Sequence, residues 1–159
     1  MSREIKRNTW SRFCKKFSQD NQHRSININL AKNGKNSVIE NRPFIGLALT
    51  KKGRLIDGLQ LCTLSSNPEQ VYEPSVVIKD PASIKLLQDD HGFSARLEIK
   101  AKDGTTARLE LSGENNREAD IRQVAYNLFE KRGKTDGLDH EDWLEAEKRL
   151  TATELEFTE

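Results

Sequence analysis

Apolar and polar positions along this chain repeat with two different periods, and the changes of period mark out the elements. From about Asn8 or Thr9 to Asp20, Trp10, Phe13, Cys14 and Phe17 recur at i, i+3, i+4 and i+7, which predicts an amphipathic helix. Arg12, Lys15, Lys16 and Gln19 fall on its other face, Asn8 or Thr9 can cap its start, and Asn21 marks its exit. A helix with this aromatic stripe must cover something. The period then drops to two: over 25–31, Ile26, Ile28 and Leu30 alternate with Asn27 and Asn29, and Asn33-Gly34 supplies a turn. Further strands are expected at 36–40, 44–50, 55–64, 71–78 and 84–88, separated by turns such as Lys51-Lys52-Gly53. Pro43, Pro74 and Pro81 belong at strand starts, edges or bulges, because proline cannot donate to a ladder.

The hairpin over 95–111 is specific enough to predict a register. A two-residue Asp103-Gly104 loop would pair Ile99 with Arg108 and mix apolar and charged side chains on one face. A three-residue Lys102-Asp103-Gly104 loop pairs Leu97 with Leu109 and Ile99 with Ala107, and places Gly104 where a left-handed residue is needed. The longer loop is the expected one.

After a short linker at 113–116 the helical period returns. Ile121, Val124, Ala125, Leu128 and Phe129 make one stripe, ended by Lys131, Arg132 and Gly133. A second helix is expected to open with Asp139 as N-cap and Asp142 at N3, with Leu138 and Trp143 at staple spacing, and to carry Trp143, Ala146 and Leu150 inward. The expected fold is therefore α+β. An N-terminal helix packs on a strongly bent antiparallel sheet or small barrel of about six strands, and a C-terminal helical hairpin follows. The division falls at 1–113 and 114–159, the latter with a frayed C-terminal tail.

Charge divides at the same place. Of 159 residues, 1–113 carry a net +7 and 114–159 a net −6. Before residue 55, thirteen basic residues face only Glu4, Asp20 and Glu40. Such asymmetry suits nucleic acid, docking between the halves, or solubility alone. Arg7, Arg12, Lys15, Lys16, Lys51, Lys52 and Arg54 are the candidate nucleic-acid contacts; Tyr126, Phe129, Trp143 and Leu144 are the candidate protein contacts.

Little else resembles chemistry. Cys14 and Cys62 sit in apolar patterns and are expected as buried, reduced thiols. His23, His91 and His140 stand in no metal spacing, Asp89-Asp90-His91-Gly92 reads as a polar turn, and Ser65-Ser66-Asn67-Pro68 has no nucleophile-elbow context. No cofactor is called for, no run is long and apolar enough for a membrane span, and a cytoplasmic location is expected.

Ile121-Arg122, Ala125-Tyr126, Phe129-Glu130, Gly133, Gly137, Trp143-Leu144, Glu147 and Leu150 resemble the pattern of the bacterial domain of unknown function 2934, with Phe129 where tryptophan is commoner. Residues 1–113 are similar to the domain of unknown function 5335. The carriers are Ile5, Trp10, Phe13, Phe17-Ser18, His23, Pro43-Phe44-Ile45-Gly46, Asp80-Pro81, Leu97-Glu98-Ile99 and Asp103-Gly104-Thr105, with departures over 24–42. Neither resemblance implies a catalytic residue, cofactor or substrate. The expectation is a non-catalytic binding or regulatory module that contacts a protein partner or itself. Nucleic-acid binding through the first helix and the 51–54 turn is the alternative, and an enzyme of unknown reaction a distant third.

Overall fold

The computed structural model describes residues 2–134 and 137–159. Eight strands form one antiparallel sheet: β1 (Ser2–Glu4), β2 (Ser25–Lys32), β3 (Lys35–Lys52), β4 (Leu55–Leu64), β5 (Tyr72–Lys79), β6 (Pro81–Gln88), β7 (Ser94–Ala101) and β8 (Thr106–Ser112). Their order is β1-β6-β7-β8-β2-β3-β4-β5. The helices are α1 (Trp10–Asn21), preceded by a 3-10 turn, α2 (Arg117–Lys131) and α3 (Asp139–Thr158).

Eight strands stand against the expected six, and two of them differ from the segments that the periodicity marks out. β1 is three residues long and too short to show a period. Conversely, the segments 36–40 and 44–50 are one strand, β3, which pairs with β2 along its first half and β4 along its second. Asn41, at φ 51°, lies in a bulge of β3, where Glu40 and Asn41 stand opposite the single Asn27 of β2, and this lets the strand turn from one partner to the other.

Nor does the sheet close into a barrel, although it must curl strongly. Lys79 ends β5, Pro81 starts β6, and these strands stand six places apart in the sheet. Laid flat, that gap would be about 29 Å, whereas two residues reach at most about 7 Å. The corner is pinned by Asp80, at φ 49°, whose N–H donates to the Asp57 carbonyl and whose carbonyl accepts from Lys102 N–H. The prolines behave as their chemistry requires: Pro74 lies at a bulge of edge strand β5 and Pro81 opens β6 at another. The β7–β8 hairpin has the expected register, Leu97 opposite Leu109 and Ile99 opposite Ala107, with Gly104 at φ 91°.

Curling encloses the larger core. Trp10, Cys14 and Phe17 of α1 join Ile26, Ile28, Phe44, Leu61, Ile84, Leu97 and Leu109 within it. A second, smaller core lies across the other face of β3 and β4. There Ile45, Cys62 and Leu64 meet Ile121, Val124 and Leu128 of α2, and Ala146, Leu150 and Phe157 of α3. The β3 bulge at Gly46 makes this contact, because a Cβ there would lie 2.4 Å from the Phe157 ring. The helical hairpin is thus docked on the sheet.

Three local expectations need correction. Thr9 stands at the N-cap of α1, but its Oγ1 donates to the Lys6 carbonyl and not into the helix. Leu138 takes the N-cap place of α3, and Asp142 accepts from the Arg132 guanidinium and so closes no capping box. The tail is not frayed: α3 runs through Thr158 and buries Phe157. At the end of α2 the expected stop holds. Gly133 at φ 74° bonds back to Glu130 and Lys134 to Phe129, which is a Schellman motif. Thr135 and Asp136 of the following turn lie outside the described residues.

Candidate functional site

The densest polar constellation lies where the turn after α1 meets α2 and α3. The chain leaves α1 through Gln22 and His23, and His23 adopts φ 70° to swing into β2. That left-handed backbone is fixed from both sides: His23 N–H donates to the Phe44 carbonyl, and the His23 carbonyl accepts from Asn116 N–H. The imidazole points into the joint with its side chain fully buried. Its Nδ1 lies 2.7 Å from Asp120 Oδ2 of α2, and its Nε2 2.6 Å from Glu154 Oε2 of α3. Only a ring carrying both protons donates to both carboxylates.

Arg117 balances the second carboxylate. Its Nε donates to Glu154 Oε2 at 2.9 Å and its Nη2 to Glu154 Oε1 at 3.0 Å, in the two-pronged geometry that suits a carboxylate. Nη2 also donates to Thr151 Oγ1. Burial pushes the Glu154 carboxyl upward, but the hydrogen bonds from Arg117 and His23 outweigh it and hold it below the ordinary range. Gln22 Nε2 donates to the Glu154 carbonyl, Asn115 Nδ2 to the Gln22 carbonyl, and Asn127 Nδ2 to the Ser65 carbonyl. Two carboxylates thus meet one imidazole and one guanidinium.

This arrangement can hold α2 and α3 to each other and to the turn after α1; it offers little chemistry. A ring with both nitrogens bound and no exposed surface can neither reach a substrate nor ligate an ion. Among the described residues, no group of three or more His, Cys, Asp or Glu side chains is placed to hold a metal ion. Burial pushes both thiols up to about 12, aided at Cys62 by the Glu156 charge. The Asp89 loop is a turn whose carboxylate accepts from the backbone N–H groups of His91 and Phe93, and Ser65 Oγ accepts from Asn67 N–H.

The candidate contact residues fall into distinct places. All seven basic candidates are exposed, so the acidic helices do not cover them. Arg7 stacks over Trp10 at 4.6 Å and donates to the Pro81 and Ile56 carbonyls, which anchors α1 to the curled corner. Lys16 pairs with Asp20 along the helix. Lys15 and Lys51 line one groove of about 350 Å³ together with Tyr72, Glu156 and Phe157. Arg12 lies on α1, and Lys52 and Arg54 stand on the β3–β4 tip. Of the protein-contact candidates, Tyr126 and Leu144 are 49% and 52% exposed, while Phe129 and Trp143 are half-buried.

The buried clasp was not among the residues singled out by pattern as candidate sites, although a signal for it exists. Extending the apolar stripe of α2 backwards from Ile121 reaches Asp120 and Arg117, and extending that of α3 forwards from Leu150 reaches Thr153, Glu154 and Phe157. Charges on a stripe that is otherwise buried announce partners. Nothing local to His23 names those partners, which lie 97 and 131 residues away.

Comparison with known proteins is brief. A family model described as a protein of unknown function (DUF2934) matches residues 116–152, so α2 and most of α3 are similar to that family. No curated protein and no solved structure matches the chain.

Proposed function

We propose that this chain is a non-catalytic binding or regulatory module of the cytoplasm whose docked helical pair recognises a protein partner. The observation that carries the reading is the outward display of Tyr126 and Leu144. Docking accounts for Ile121, Val124, Leu128, Ala146, Leu150 and Phe157, which are all buried. It leaves large, half-exposed side chains on both helices, Tyr126 on α2 and Leu144 and Leu155 on α3, beyond those that docking buries. We read residues 1–113, by their similarity to the domain of unknown function 5335, as the scaffold that presents the pair. That no described helix is long and apolar enough to cross a membrane is compatible with this placement.

The test compares the wild-type chain with a Tyr126→Ser/Leu144→Ser double variant as immobilised baits, with sedimentation of each alone. A polypeptide retained by the wild type and lost by the variant supports the reading, as does a wild-type dimer that the variant dissociates. Identical capture and a monomer in both cases overturn it.

A second reading, nucleic-acid binding through α1 and the 51–54 turn, is favoured by one observation: Lys15 of α1 and Lys51 border the same groove. Binding of that kind weakens steeply between about 50 and 200 mM salt.

A further inference from the structure

Curling the sheet brings together hairpin tips that are far apart in sequence. The turn after Asp80 ties β5 and β6 to Lys102 on the β7–β8 tip, through the Lys102 N–H to Asp80 carbonyl bond. It also ties them to the base of the β3–β4 tip, through Asp80 N–H to the Asp57 carbonyl. On the other side, β8 starts beside the end of β2, with Ala31 opposite Thr106, so the β2–β3 tip stands level with the β7–β8 tip. The Lys32 charge is close enough to help hold the Asp103 carboxyl below its ordinary range, although Thr105 is the larger cause. One rim of the molecule therefore runs from the β3–β4 tip, through the corner, to the β2–β3 tip.

That rim is cationic. Lys32, Lys35, Lys52, Arg54, Lys79 and Lys102 are all exposed, and none of the ion pairs among the described residues includes any of them. Asp57, Asp80 and Asp103 stand in the same arc, so positive charge prevails six to three. From β6 to β3 the rim crosses four strand spacings, about 19 Å. One strand of a duplex presents five or six phosphates over such a length. The tips carry no aromatic side chain on which a base could stack.

We propose that this rim binds the phosphate backbone of nucleic acid by charge, without reading bases. The proposal rests on the nucleic-acid reading above and moves its surface from α1 to the hairpin tips. The alternative occupant, an anionic membrane, would exploit Leu55, which is 75% exposed between these cations.

The experiment measures anisotropy of a labelled mixed-sequence duplex of about 20 base pairs, with the full chain titrated at several salt concentrations. Three proteins are compared: wild type, a rim variant (Lys32→Glu, Lys35→Glu, Lys79→Glu, Lys102→Glu) and a helix variant (Arg12→Glu, Lys15→Glu, Lys16→Glu). A Lys→Gln version of the rim variant keeps the test valid should charge reversal disturb folding. The proposal expects the rim variant to lose at least about tenfold in affinity, and the slope of log affinity against log salt to fall by about three to four. The helix variant should stay within about threefold of wild type. Loss in the helix variant alone overturns the rim assignment and keeps the broader reading. Absence of binding by the wild type overturns both. Binding to phosphatidylserine vesicles that Leu55→Ser abolishes, with duplex affinity unchanged in the rim variant, assigns the surface to a membrane instead.

Discussion

The two cores of this molecule are held by different means. The larger one, enclosed by α1 and the curled sheet, is apolar almost throughout, and its walls are backbone ladders. The smaller one, between β3–β4 and the helical pair, shares its joint with two carboxylates, a guanidinium and an imidazole. Burying hydrocarbon stabilises in proportion to area and hardly depends on pH. Burying charges stabilises only while every partner stays in place and correctly ionised. The first core should therefore be tolerant of solution conditions and the second conditional on them.

Ways to break this contrast can be ranked. Deleting 153–159 removes Phe157 from the second core and Glu154 from the clasp together, and should cost about 5 kcal/mol or more. These residues lie just past the stretch that matches the helical family, and they dock the pair through Phe157 and Glu154. Urea unfolding followed by Trp143 fluorescence should show the helical signal lost first; a single unchanged transition would remove the distinction between the cores.

Trp10→Ala strikes the other core. Its indole is fully buried and its Nε1 donates to the Ile5 carbonyl, so a loss of about 4 kcal/mol is expected, with the same value at pH 5 and pH 8. His23→Ala should cost about 3 kcal/mol by leaving Asp120 and Glu154 facing one another without the imidazole. Thiol labelling sharpens this case. In a Cys14→Ser background, Cys62 lies within the second core and should react faster in the His23 variant than with His23 intact. Equal rates would mean the clasp does not hold the helices down.

Gly46→Ala inserts a methyl group against the Phe157 ring and should cost about 2 kcal/mol, recovered in part by Phe157→Leu. The smallest effect concerns acid. The folded-state pKa of Glu154 is depressed from its ordinary 4.5, so its stabilisation is fully present above that value and disappears as pH falls through the folded one. Wild type should lose stability from about pH 5 downward more steeply than Glu154→Gln, measured as urea midpoints. Parallel curves would show that the carboxylate contributes nothing.

Legibility followed the same division. Elements that obey a local rule were readable: the stripe of α1, the register of β7–β8, the glycine stop of α2. The strand count failed where no local rule exists, since β1 is too short to have a period and β3 reads as two strands interrupted by Asn41 and Pro43. The cap of α3 was misread because Asp142 had a better partner in Arg132, a tertiary ion pair overriding a local motif. For the site, the exposed candidates were findable because surface charge and surface aromatics show in composition. His23 was not, because its partners come from two distant helices. Its significance is geometric.

β3 carries a further consequence. Its eighteen residues belong to both halves of the sheet, and its alternating side chains feed both cores at once. A slip of one residue against β2 would turn Phe44 and Ile45 to the wrong sides and spoil the β4 pairing as well. Neither half can settle on an alignment before the other agrees. Folding should accordingly be cooperative across the whole sheet and governed by contacts distant in sequence, which places this chain among slow-folding proteins of its size.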